Sequence, residues 1–317
     1  MDALFSPVVL FFILGALAAA LRSDLAVPET LAKGMSLYLM AAIGLKGGAE
    51  VSASGLTFDF ISVSFLGVTL SCIIPLVMFA ALRGMGRLDA VNAGAVAAHY
   101  GSVSVVTFAA GSEMLTAAGL PPAGYMVAVL ALMETPAIVV GLMLARRGGN
   151  VIEQSRLDLM RETLVNGPVV LLMGSFAIGA IVGKPGLDSV SPVFESGFRG
   201  VLCLFLLDMG LIAVRRLRDA RNLNLRLISL AIVFPVVNGV TAILAAAVLG
   251  LDTGSVAALG ILAASASYIA VPAAMRLALP QADAGLSLAM SLAVTFPFNI
   301  LIGIPFYTAI AKLVVPS

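Results

Sequence analysis

Apolar residues fill this chain in runs of about 17–25, the length that crosses a bilayer as a helix, with polar residues gathered into short connections between them. Taking Pro, Gly and charge as punctuation, the pattern predicts ten all-α spans near 5–21, 28–48, 57–82, 88–118, 122–145, 164–183, 190–214, 226–250, 254–280 and 286–312. Two spans do not run smoothly. Gly101-Ser102-Val103-Ser104 interrupts the fourth and Ser265-Ala266-Ser267 the ninth. Free backbone groups in hydrocarbon cost several kcal/mol unless they are buried or line a cavity, so both stretches predict helix breaks around a binding site. Small residues of this kind also pack helices closely, which is the plainer reading.

Composition settles the class. Hydrophobic residues make up 61% and charged ones 11%, with a mean hydropathy of +1.10, against about 25% charged in a soluble domain. An integral membrane protein follows, with the lipid bilayer as its surroundings and no nucleic-acid partner. The first run carries Asp2 ahead of it and Arg22 after it, the reverse of a signal peptide, and is read as a span. Cys72 and Cys203 lie inside apolar runs and read as packing residues, so no metal site or cofactor is expected from them.

Positive residues set the sidedness. With the amino terminus outside, the inside connections hold Arg22, Lys33, Arg83, Arg87, Arg146, Arg147, Arg156, Arg161, the run from Arg215 to Arg226, and Arg276. Only Lys46, Lys184, Arg199 and Lys312 fall to the other side. This bias predicts a multi-pass protein of the cell's inner (plasma) membrane with both termini outside.

The two halves echo each other. Pro7-Val8-Val9-Leu10 matches Pro168-Val169-Val170-Leu171, Pro75 matches Pro235, and Ala123-Gly124 with Pro136 matches Ala284-Gly285 with Pro297. The breaks align as well. Residues 1–146 thus form a first five-helix repeat, 147–163 a cytosolic linker, and 164–317 a second repeat. An odd number of spans per half turns the second repeat upside down, the plan of many secondary transporters. The helix halves after the two breaks then start near the midplane with their amino termini facing. Each such terminus offers unpaired N–H groups and about half a positive charge, a seat for a small anion, and Ser102, Ser104, Ser265 and Ser267 add hydroxyls.

Ionisable groups inside spans are functional candidates. Glu134 and Asp208, with Thr107, Asn238, Thr295 and Asn299, form an oxygen-rich set suited to a hard cation such as sodium. Glu134 also reads as a proton relay, and Asp208 as the partner of a cation near Arg215. His99, the single histidine, reads most simply as a packed hydrogen-bonding residue. Its nearness to Ser102 and Ser104 leaves open an intramembrane serine hydrolase, though no third catalytic residue is evident.

The strings LYLMAAIGLKGG (37–48), HYGSVSVVTFAAG (99–111), ASASYIAVPAAMRLALP (264–280) and TFPFNILIGIPFY (295–307) resemble those of the sodium-dependent bicarbonate transporter family, known best from cyanobacteria. The resemblance implies core and gate domains built from a five-plus-five inverted repeat, a homotrimer, and bicarbonate carried inward with sodium. It places bicarbonate at Gly101, Ser102, Val103, Ser104, Ser265, Ala266 and Ser267, with sodium nearby. The cyanobacterial relatives are inhibited by a PII-like cytosolic regulator and have a longer central loop; the short link here departs from that pattern and leaves the regulator open. A symporter of another small anion, such as a short carboxylate, is the alternative within the same class.

Overall fold

The computed structural model describes residues 6–55, 57–146, 167–220 and 223–315, so the linker expected at 147–163 lies outside the described residues. Every regular element among these residues is helical. Most helices start where the sequence supplies an oxygen to bind the first free N–H groups. α1 (Pro7–Ala20) opens at Ser6, α3 (Phe58–Gly84) at Thr57 and α4 (Ala90–Gly101) at Asp89. α5 (Val105–Ala117) opens at Ser104, α9 (Leu225–Val248) at Asn224 and α10 (Thr253–Ala264) at Asp252. In each, the side chain accepts a hydrogen bond from the N–H three residues on.

The remaining helices are α2 (Glu29–Ser54), α6 (Met126–Ala145), α7 (Gly167–Ser191), α8 (Phe198–Asp219), α11 (Ala270–Ala278) and α12 (Ala284–Val314). The sixth span breaks at Gly183 as expected, while the seventh starts later than expected, at Phe198. α7 bends at Gly183, whose φ of 60° suits glycine, then continues as helix to Ser191 and through a π turn at Pro192–Ser196 before α8 begins. α12 contains two π-helical stretches, Ala289–Thr295 and Asn299–Gly303.

Six helical stretches among the described residues are long and apolar enough to cross a membrane: Phe58–Gly84, Ala90–Ala117, Met126–Ala145, Val169–Asp219, Leu225–Val248 and Ala284–Val314. This makes the chain a multi-pass membrane protein. α1 and α10 are apolar but only 14 and 12 residues long, and α2 carries Glu29, Lys33, Lys46 and Glu50.

Specific contacts define the two ends of the bundle. At one end Arg215 donates to the Leu25 carbonyl and Arg218 to those of Ala19 and Ala20, while the Asp283 N–H donates to Asn92 Oδ1. At the other, Arg199 pairs with Glu113 at 2.8 Å, and the Ala123 N–H donates to Ser255 Oγ. Arg215 and Arg218 therefore sit against the α1–α2 connection, on the side that the sequence marks with positive charge.

α2 lies along α7, and α1 along α8. α3, α4 and α6 pack together, as do α9, α10 and α12. The α2–α7 seam is tight because small residues line it: a Cβ on Gly48 would stand 1.9 Å from the Phe176 carbonyl oxygen. In lipid, such close backbone approach supplies the dispersion contacts that hold helices together.

Candidate functional site

Both predicted breaks are present. α4 ends at Gly101 and α5 begins at Val105; α10 ends at Ala264 and α11 begins at Ala270. Their local geometry matches. α4 and α10 are each 12 residues long, each capped by an aspartate, and each leaves the helix through an extended serine, Ser102 (ψ 173°) and Ser265 (ψ 166°).

Hydrogen bonds stitch one break to the other. The Ser104 N–H donates to Ser265 Oγ at 2.8 Å, and the Ser267 N–H to the His99 carbonyl at 2.8 Å. His99 Nδ1 lies 2.6 Å from the Ser267 carbonyl oxygen. A carbonyl only accepts, so Nδ1 carries the proton. Ser102, Val103, Ser104, Ser265, Ala266 and Ser267 are all at most 4% exposed, and Gly101 is buried with them. The structure thus gathers all seven predicted anion residues into one crossing.

The serine hydroxyls are not equivalent. Ser265 Oγ donates to the Leu262 carbonyl at 2.7 Å, which uses its proton. Ser104 Oγ accepts from the Thr107 N–H and Ser267 Oγ from that of Val271, so each keeps its own proton to donate. Ser102 Oγ is buried without a partner among the described residues. Two hydroxyl donors remain uncommitted at the crossing, from Ser102 and Ser267, while the Ser104 hydroxyl faces that of Tyr268.

The amino-terminal ends of α5 and α11 meet at a small cavity of about 10 Å³, on the order of one water. Val103, Ser104 and Val105 form one side, and Ser267, Tyr268, Ile269 and Ala270 the other. Glu134 of α6 and Met40 of α2 complete the wall. Two helix amino termini and a carboxylate thus share one enclosure.

The other cation candidates divide. Thr107, 1% exposed, lies in the first turn of α5. Thr295 Oγ1 donates to the Ala231 carbonyl at 2.7 Å and meets the Tyr100 hydroxyl at 2.6 Å, which ties α9 to α4. Asn299 donates to the Ala264 carbonyl at 2.8 Å, the last carbonyl of α10, and accepts from Tyr307. Both are 1% exposed or less and support the second break from behind. Asp208 and Asn238 are buried, with Asp208 Oδ2 and Asn238 Nδ2 unpartnered among the described residues. Neither borders the crossing cavity. Among the described residues no three His, Cys, Asp or Glu side chains cluster as metal ligands. The oxygens near the crossing are hard ligands, of the kind that suits an alkali cation better than a transition metal.

Sequence reasoning missed Met40 and Tyr268 as cavity walls. Met40 comes from α2, a helix without a break, and nothing in its spacing marks it. Tyr268 stands beside Ser267, and the aromatic ring packs edge-on to Phe296 at 5.3 Å.

Buried helix breaks that meet inside a multi-pass helical bundle are the plan of many secondary transporters. The family model described as the Na+-dependent bicarbonate transporter superfamily matches residues 7–312, and the chain belongs to that superfamily. The comparison with curated proteins gives no match. Membership of a transporter family overturns the serine-hydrolase alternative, and His99 turns its Nδ1 to the Ser267 carbonyl instead of to Ser102 or Ser104.

Proposed function

We propose that this protein is a sodium-driven bicarbonate symporter that takes bicarbonate into the cytoplasm by alternating access. The observation that carries the reading is the cavity where the α5 and α11 amino termini converge beside Glu134. Bicarbonate binds at Gly101–Ser104 and Ser265–Ser267 through the Ser102 and Ser267 hydroxyls, in the positive field of the α5 and α11 amino termini. Sodium binds beside it on Glu134, with Thr107 in the first turn of α5 a further oxygen candidate. A buried carboxylate without a cation carries a large desolvation cost, and it repels an anion in the same enclosure. Sodium on Glu134 removes both penalties. By linkage, the anion tightens sodium by the same factor as sodium tightens the anion.

Several features support ten spans in a five-plus-five inverted repeat. α4 and α10 share length, cap and exit geometry. The packing of α1 on α8 becomes that of α2 on α7 when the halves are exchanged. The glycine contacts follow: Gly48 meets Phe176 in one seam, and Gly210 meets Phe12 and Gly15 in the other. The basic end of the bundle is then cytosolic, with both termini outside.

The crossing cavity is smaller than the substrate, so binding requires its walls to separate. Met40 belongs to α2, which packs on α7, while the breaks belong to the other group of helices. Sliding one group past the other uncovers the site. One sodium per bicarbonate moves no net charge, and the sodium gradient alone then drives uptake. Labelled bicarbonate uptake into proteoliposomes tests this. Replacing sodium with choline abolishes uptake; equal uptake in choline would overturn the reading.

A further inference from the structure

A second cavity, of about 150 Å³, opens within the group formed by α4, α11 and the start of α12. A cavity of that order accommodates benzene, so an anion of four or five heavy atoms fits. Its walls are mostly apolar, including Ala95, Met275 and Leu279. Three polar side chains line it: His99, Arg276 and Ser287.

Their chemistry is complementary. Arg276 is exposed at the rim and forms no ion pair with a described residue. Its guanidinium offers a planar fork of donors that matches two oxygens of one anion. His99 is 2% exposed, and its Nδ1 proton is committed to the Ser267 carbonyl. The neutral ring therefore keeps Nε2 as an acceptor, which needs a donor from its ligand. Ser287 Oγ makes only a long bond, 3.4 Å, to the Asp283 carbonyl. Asp283, at the start of α12, turns an oxygen to the Leu286 N–H at 3.0 Å to cap that helix.

We propose that this cavity is a binding site, separate from the crossing, for a small oxyanion that carries its own hydroxyl proton, such as hydrogen phosphate or bicarbonate. The ionised oxygens meet Arg276, and the hydroxyl donates to His99 Nε2. Nitrate and chloride have no proton to give and leave that acceptor unmatched. This assignment stands apart from the transport reading, because it concerns binding without sodium and in another cavity.

Isothermal titration of the full-length protein in detergent, in sodium-free buffer with hydrogen phosphate as the probe, tests it. Phosphate binds, nitrate binds at least tenfold more weakly, Arg276→Gln weakens phosphate at least tenfold, and Ser102→Ala leaves phosphate binding unchanged. Absence of phosphate binding, nitrate binding as tight as phosphate, or an Arg276→Gln protein that binds phosphate like the parent would overturn the site. Loss of phosphate binding in Ser102→Ala would assign the anion to the crossing and overturn it equally.

Discussion

His99 and Ser267 are joined twice, once by the Ser267 N–H to the His99 carbonyl and once by His99 Nδ1 to the Ser267 carbonyl. The pair closes a ring between two helix breaks that lie 168 residues apart in sequence. Phe at position 99 keeps the bulk and removes the donor, leaving a buried carbonyl unsatisfied at about 1–3 kcal/mol. His99→Phe is therefore expected to melt at lower temperature by that margin. His99→Asn, whose amide nitrogen replaces Nδ1, recovers part of it.

Glu134 is 3% exposed and faces two helix amino termini. Glu134→Gln keeps the shape and removes the charge. Uptake by the variant should lose its stimulation by sodium, while its thermal stability equals or exceeds the parent's, since a buried charge has gone. A sodium titration of uptake that superimposes on the parent's would move the cation elsewhere.

Ser102 and Ser265 occupy matching positions in the two breaks and predict opposite phenotypes. Ser102 Oγ has no partner to lose, so Ser102→Ala changes stability by less than about 0.5 kcal/mol and weakens uptake. Ser265 Oγ holds both the Leu262 carbonyl and the Ser104 N–H. Ser265→Ala costs about 1–3 kcal/mol, seen as a lower melting temperature.

A Cβ added at Gly101 would stand 2.1 Å from Pro75 Cγ and 2.9 Å from the Ala137 Cβ. Gly101→Ala therefore pushes α3 away from the first break, at about 1–3 kcal/mol or more. Pro75→Ala in the same chain relieves the closest clash. A double-mutant cycle on thermal stability should show strong coupling between the two sites.

Asp89 caps α4 outside the membrane span. Burial raises its carboxyl, but hydrogen bonds from the Asn92 backbone and side chain, and from Val91, outweigh that and hold it below the usual carboxylate range. Its stabilisation is then present at neutral pH and lost as pH falls through the depressed value. Asp89→Ala costs about 1 kcal/mol at neutral pH. Asp89→Asn keeps a cap and shows a flatter loss of stability toward acid in pH-dependent melting.

The breaks were legible in the sequence because serine and glycine in a lipid-length apolar run have few other uses. The capping aspartates and serines that start the helices were not singled out, since a polar residue at the edge of an apolar run marks a connection as readily as a cap. Glu134 stood out as a charge inside a span, and the structure brings it to the crossing. Thr295 and Asn299 drew notice for the same polar reason, yet their bonds support neighbouring helices. Polarity in a membrane marks a residue as bonded without naming its partner. Met40 gave no sign at all, since a methionine in an apolar helix looks alike against lipid or against a cavity. The break at Gly183 fell where the sequence put it, but the next long helix starts at Phe198 and not near 190, because apolar content alone does not distinguish the short helical segment between them from a span.

The Asn299 amide on the Ala264 carbonyl has a consequence for the polarity of the whole crossing. Every broken helix brings two ends to the break, one of each sign, and left alone they cancel. Here the carbonyl ends are quenched: Ala264 by Asn299, Leu262 by Ser265 and His99 by Ser267. The Ser104 and Ser267 N–H groups are bound within the same web, while the starts of α5 and α11 border the cavity. Asn299 thus offsets the negative end of α10 beside the positive ends of α5 and α11, and a single leucine in its place would return part of the opposing field.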